Sequence, residues 1–262
     1  DEPDLNGVPV LQIKEGNDIL WADPTHPSFL NLNTTRAFNA YGHIPDIIGQ
    51  DHYVMYAPNN IPGTGITRFA RMEEAIEFSD QLKLNTEPKI MWNWSQLAGS
   101  AWNRQPEPWG VNYQFWANVM TGSRGILWFV LQPNTASNYP AQFQEAVKLG
   151  RQLSQIRSLC LYGESIPNLT FSTTRALGRS LVGENAVVVI VLNNNYSVSG
   201  FPWSPNYSIS PLSGTVTVPV PSWIPVQQVY RVTPDGTDIP SHTVNPDGTV
   251  TISFSMHTEM QV

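Results

Sequence analysis

Two short stretches hold the residue types that proton-transfer chemistry needs. The chain opens Asp1-Glu2-Pro3, and further on comes Asp46-Ile-Ile-Gly-Gln-Asp-His-Tyr53. A carboxylic acid and a carboxylate facing one cavity can protonate a leaving oxygen and activate a nucleophile, which is the chemistry of glycosidic-bond hydrolysis. Glu2 is the first choice for general acid; the role needs a raised pKa, which an apolar, aromatic surround supplies. Asp51 is the second carboxylate and candidate base, because Ile47, Ile48 and Gly49 place it at the mouth of a strand. The bland alternatives are a solvated stub for Glu2 and an ion-pair partner or loop anchor for Asp51.

Around this pair the sequence offers sugar-binding side chains. His52 and Tyr53 point in opposite directions along a strand. Tyr53 is read as the sugar contact and His52 as structural. Asn93 and Gln96 have the amide groups to hydrogen-bond hydroxyls, and Trp92, Trp94 and Trp128 the ring faces to stack on pyranoses. Aromatic residues on buried strands more often fill a core, so one of those three is expected to meet ligand. Trp102 and Trp109 fall in a stretch read as a long loop, Leu97 to Trp109, and are read as subsite residues. If the two carboxyls lie about 5 Å apart a covalent intermediate is expected, whereas roughly 6.5–9.5 Å leaves room for a water and predicts inversion.

The elements that must position these residues follow from periodicity. Helical spacing covers Val8 to Ala22, and an apolar run, Ser28 to Asn33, suits a buried strand. A brief helix, Thr34 to Tyr41, leads to the strand Asp46–Tyr53. A helix from about Arg68 to Leu84, the strand Lys89–Gln96, a helix Tyr113–Thr121, the strand Arg124–Gln132 and a helix Pro140–Ser158 complete the set. Strands and helices alternate, and the strands are continuous apolar runs, which is how a parallel sheet covered by helices reads. After Gly163 the period changes to two. Pieces near Leu169, Ala186, Gly214, Val226 and Thr249, punctuated by Pro234-Asp-Gly236 and Pro246-Asp-Gly248, predict an antiparallel β-sandwich over 164–262.

In order and spacing, DEP, DPTHPSFLN, DIIGQDHY, a Trp-rich strand ending in Gln96, and GSRGILWF together resemble the second half of a (β/α)8-barrel glycoside hydrolase over residues 1–163. The resemblance implies an α/β fold in which strands five to eight of a TIM barrel are present, followed by the accessory β-sandwich. Such barrels carry their active sites at the C-terminal ends of the strands. Two departures stand out: Asp1 precedes Glu2 where that family usually has Asn, and Trp94-Ser95-Gln96 stands where its nucleophilic Glu is expected. Gln96 cannot attack an anomeric carbon, so the retaining route does not carry over intact and inversion is favoured. A protein that kept the barrel and only binds carbohydrate, or serves a structural role, is the competing reading.

Composition removes other classes. A net charge of −7 gives no basic face for nucleic acid, and no apolar run is long enough to insert in a membrane. The single Cys160, flanked by Leu159 and Leu161, is read as a buried thiol. No zinc-like Cys/His cluster, P-loop, dinucleotide motif or GxSxG occurs, so neither cofactor nor metal is expected. Sequons at Asn33, Asn93, Asn168, Asn195 and Asn206 point to an extracellular or secreted protein, although Asn33 and Asn93, at strand ends, are not expected to carry glycans. Half a barrel has open sheet edges. The expected partners besides a carbohydrate substrate are therefore the other half-barrel, as further chain or separate chain, or a second copy.

Overall fold

A parallel four-stranded sheet organises the computed structural model, which describes residues 1–20, 22–23, 25–55, 71–99, 105–199 and 206–256. Its strands are β1 (Phe29–Leu32), β2 (Ile47–Gln50), β3 (Ile90–Gln96) and β4 (Gly125–Phe129), side by side in chain order. Phe29 pairs with Ile47, Ile47 with Ile90, and Trp92 with Gly125. The helices are α1 (Val10–Leu20), α2 (Thr35–Tyr41), α3 (Glu74–Thr86), α4 (Pro108–Met120), α5 (Thr135–Asn138) and α6 (Pro140–Tyr162). Proline at the first turn starts α4 and α6, where its missing N–H costs nothing. Glu74 and Glu77 in the first turn of α3, and Lys83 in its last, match the helix dipole. The tract read as a loop up to Trp109 is thus already helical from Pro108.

Strand β3 shows how the sheet divides its faces. Met91, Asn93 and Ser95 are buried, whereas Ile90 and Trp92 are exposed and Trp94 half-buried, the alternation that a pleated strand imposes. The buried side meets α3 and α4 through a polar layer. Asn118 of α4 accepts from the Ser79 hydroxyl (2.9 Å) and donates to Trp94 O (3.1 Å) and Ser95 Oγ (3.0 Å). Asn93 donates to Ser79 Oγ (3.0 Å) and Ser123 Oγ (2.7 Å). On the other face, rings lie directly on glycines. A Cβ on Gly125 would come 2.6 Å from the Trp92 indole, and one on Gly49 2.8 Å from the Phe29 ring. Those two positions need glycine because an aromatic ring occupies the side-chain space.

The remainder is antiparallel β-structure: β5 (Glu164–Ile166), β6 (Thr170–Phe171), β7 (Ala176–Val182), β8 (Val187–Asn193), β9 (Tyr196–Ser199), β10 (Asn206–Ile209), β11 (Leu212–Pro219), β12 (Arg231–Thr233), β13 (Gly236–Asp238), β14 (His242–Val244) and β15 (Thr249–Met256). They form small sheets ordered β5-β7-β8, β14-β15-β11-β6, β9-β10 and β12-β13. Each of the two Pro-Asp-Gly turns joins a hairpin, β12 to β13 and β14 to β15. The main core is continuous across residue 163. Leu181, Ile190 and Leu192 pack in one cluster with Phe115, Trp116 and Leu149, so α4 is covered by the sheet on one side and by β7–β8 on the other. That explains why its whole length after Trp109 is buried.

The expected architecture is corrected here. Four parallel strands are present, but they form an open sheet and not a TIM barrel. With roughly 20–25° of twist between neighbours, four strands cannot curve round to meet; closure takes about eight. Nor is the C-terminal region the expected β-sandwich of two sheets. Its strands, several of only two to four residues, divide among four separate small sheets. A mixed α/β fold with one parallel sheet and several antiparallel ones is the observed class.

Replacing Asn118 by Ala tests the polar layer. It removes the amide that donates to Ser95 Oγ and to the Trp94 carbonyl inside the protein, while Ser79 keeps its bond to Ala75 O. A loss of about 2–4 kcal/mol in denaturant-measured stability is expected, and a loss under about 0.5 kcal/mol would show that the layer contributes nothing.

Candidate active site

Glu2 is held at the C-terminal end of β1 by its own backbone: its N–H donates to Asn31 O (3.0 Å), and its carbonyl accepts from the N–H groups of Leu5 and Asn6. Asp4 anchors the same turn. Its carboxylate accepts from Thr34 N (2.8 Å) and Thr34 Oγ1 (2.7 Å), just before α2 begins, where negative charge suits a helix start. The geometry places Glu2 at φ 44°, among non-glycine described residues the one instance of left-handed backbone. That conformation costs an L-residue about 1–2 kcal/mol, and such strain clusters at functional positions.

Asp51 follows β2 directly. Its N–H bonds Leu32 O (3.3 Å), so the end of β2 leans on β1, whose own C-terminal end carries Asn31 and Asn33. One amide joins the acids: Asn33 Nδ2 donates to Glu2 Oε1 (3.3 Å) and to Asp51 Oδ1 (3.1 Å). Asn31 Nδ2 reaches Asp1 Oδ1 (3.2 Å) and also supports Asp51. The Glu2 and Asp51 carboxyls lie within hydrogen-bonding reach of each other. Burial first, then the hydrogen bond and charge of Glu2, push the Asp51 carboxyl up to about 8, against the smaller opposing effect of the two asparagines. Asp51 therefore keeps its proton at neutral pH.

Tyr53 lies beside both acids. Burial, then the charges of Asp51 and Glu2, raise its phenol far above the usual value, so it stays neutral. Its ring packs at 5.3 Å against Phe129, which meets Trp94 edge-on at 6.2 Å. Beyond them on the same face, Trp92 contacts Phe29 at 6.3 Å. His52 points away: Nε2 is 2.9 Å from Glu74 Oε2 and the ring stacks on Phe78 at 3.6 Å. The alternation along this strand end thus separates Tyr53 from His52. Several buried polar atoms at this end of the sheet have no hydrogen-bond partner among the described residues: Asn31 Oδ1, Asn33 Oδ1, Trp94 Nε1 and Gln96 Nε2. Unpartnered groups of that kind are what ligand hydroxyls satisfy.

Three of the other anticipated sugar contacts lie elsewhere. Asn93 is fully buried in the polar layer beneath the sheet. Trp128 is on that same side, stacked on Phe115 of α4 at 5.5 Å. Trp109, in the first turn of α4, sits edge-on to Tyr207 at 6.4 Å and packs on the main core. Gln96 is buried at the end of β3, with Oε1 accepting from Gln114 (3.4 Å). Trp102 lies outside the described residues. Asn31, Asn33 and Phe129 escaped the sequence reading. Asn33 was visible only as a sequon, yet Asn31 and Asn33 alternate with Leu30 and Leu32, and amides at a strand end are a usable signal. Cys160 is buried, its thiol pushed up to about 12 by burial, and it is inert. Among the described residues no group of His, Cys, Asp and Glu could hold a metal ion, and no helix is long and apolar enough to cross a membrane.

Asp51 makes the stability of the fold pH-dependent. Its carboxyl ionises near 4 in the unfolded chain and near 8 in the folded one, so the folded state holds a proton that the unfolded state releases between those limits. This group's contribution falls as pH rises from about 4 to about 8. Asp51→Asn, which keeps the shape and cannot ionise, is expected to melt higher than the parent at pH 8 and alongside it at pH 4; thermal melts across that range check it, and parallel curves would refute it. Compared with known proteins, the sequence matches no family model and no curated protein, so a functional reading rests on the geometry of this site.

Proposed function

We propose that the chain hydrolyses a glycosidic bond in an oligo- or polysaccharide, with Glu2 and Asp51 acting as one acid–base unit. The observation that carries the reading is the hydrogen-bonded carboxyl pair, with Asp51 protonated at neutral pH, beside an exposed aromatic face. Glu2, half-buried, is the member able to touch a substrate and protonates the leaving oxygen. Asp51 lies deeper and passes its proton to Glu2, which delivers it to the leaving oxygen as the C–O bond breaks. A water molecule bonds to the anomeric carbon, and the proton it sheds restores the pair. Tyr53, Trp94 and Trp92 supply ring faces for sugar, and Asn31, Asn33, Trp94 and Gln96 supply the unpartnered polar atoms that hydroxyls would meet.

The shared Asn33 amide, 3.3 Å from Glu2 Oε1 and 3.1 Å from Asp51 Oδ1, keeps those two oxygens closer than the gap of roughly 6.5–9.5 Å that a water-activated inversion uses. The pair is therefore read as serving the leaving-group side. A second reading, carbohydrate binding without turnover, draws on the same geometry and on Gln96, an amide where an attacking carboxylate would be useful.

Reducing-sugar release and calorimetric binding, run on one panel of oligosaccharides, separate the two. Hydrolysis lost by about 10²–10⁴-fold in Glu2→Gln, with binding retained, is the expected outcome. Binding without turnover in the parent selects the second reading, and turnover unaffected by Glu2→Gln removes the first.

A further inference from the structure

A hollow bounded by described residues lies far along the chain from the carboxyl pair. It is a cavity of about 750 Å³ between β8, β11, β15 and the stretch 221–231, within the range of roughly 300–1,000 Å³ typical of small-molecule sites. Where the two sheets meet, Val191, Val216 and Phe254 are buried in one apolar cluster. Val187, Val189, Val220 and Ile252 pack against that cluster yet stay half-buried where they line the cavity. Trp223 and Tyr230 stand at this cavity with 68% and 50% of their surfaces exposed. Half-buried valines and an exposed tryptophan lining one hollow of this size are the features of a small-molecule site.

The chemistry of the walls selects the ligand. Valines and isoleucines make up much of the walls, with Gln155, Glu184, Asn185 and Arg231 among the polar residues between them. Trp223, Gln227, Gln228 and Tyr230 all come from the stretch 221–231. We propose that this cavity binds a single aliphatic chain, the acyl or alkyl tail of an amphipathic molecule, with its polar head left among Trp223, Tyr230 and the glutamines. The site is independent of the carboxyl pair and of whatever reaction that pair performs.

Titration of the full chain with dodecanoate and with dodecyl maltoside, each below its micellar concentration, tests the proposal by calorimetry and tryptophan emission. Saturable one-to-one binding of either probe, with a blue shift in emission, is expected; which of the two binds reports whether the head is an acid or a sugar. Val189→Trp, which fills the hollow, should weaken binding at least tenfold, and Trp223→Ala at least threefold, while Glu2→Gln leaves it unchanged. Free maltose should not compete. Absence of saturable binding by both probes overturns the site, as does competition by maltose. If Val189→Trp does not fold, the exposed Trp223→Ala and Tyr230→Ala carry the test, and unchanged affinity in both is equally fatal.

Discussion

Two neighbouring carboxyl groups repel when both are charged, and among the described residues none of the hydrogen bonds to Glu2 or Asp51 comes from a lysine or arginine. The protein avoids that repulsion by keeping a proton on Asp51. Asn33 donates to both acids, which favours charge, but burial and the second carboxyl outweigh it at Asp51. The balance leaves a group that is acidic at neutral pH and stands beside a solvent-facing acid. Everything functional about this end of the sheet follows from that arrangement, including the neutral state of Tyr53, whose phenolate would face the same negative charge.

The sheet supports the pair by giving its two faces different work. Beneath it, the amides and hydroxyls of Asn93, Asn118, Ser79 and Ser95 close a network with α3 and α4, and that interior is satisfied chiefly by its own groups. Above it, glycines at 49 and 125 let the Phe29 and Trp92 rings lie flat. The polar layer fixes strand positions at the cost of desolvating many groups, a cost tolerable only when nearly all are paired. Unpartnered buried polar atoms occur on both sides, Asn93 Oδ1 beneath the sheet and Trp94 Nε1 above it, but the upper face also leaves the large rings of Phe29 and Trp92 exposed. That exposure is what distinguishes binding surface from scaffold on this sheet.

Much of this was legible in the residues, and what was not has identifiable causes. The four parallel strands follow from continuous apolar runs, and both Pro-Asp-Gly hairpins from turn chemistry. The approach of Glu2 to Asp51 was expected, and so was the structural role of His52, packed away from Tyr53 because a strand alternates. Closure of the sheet was not decidable from local pattern, since a strand in an open sheet and one in a barrel have the same periodicity. Asn93 and Trp128 illustrate a finer limit. Both sit on strands beside residues of the open face, and one step along the pleat sends them beneath the sheet. Short strands such as β5, β9 and β13 left too few residues for any period to register.

The carboxyl pair also depends on sequence far from it. Glu73, at the start of α3, accepts from Asn194 (2.7 Å) and from the Tyr196 hydroxyl (2.5 Å), and Asp80 on the same helix pairs with Arg179 of β7. These bonds fasten α3 to the antiparallel region. The neighbouring Glu74 in turn holds His52, whose ring lies on Phe78 of that helix. His52 is bonded through the chain to Asp51 on one side and Tyr53 on the other. The antiparallel region therefore fixes, through one helix, the residue between the buried acid and the phenol. A shift of α3 would move both groups relative to Glu2, which is held by β1 and α2 instead. The geometry of the pair is set where those two anchorages meet, and it requires the C-terminal region as much as the sheet.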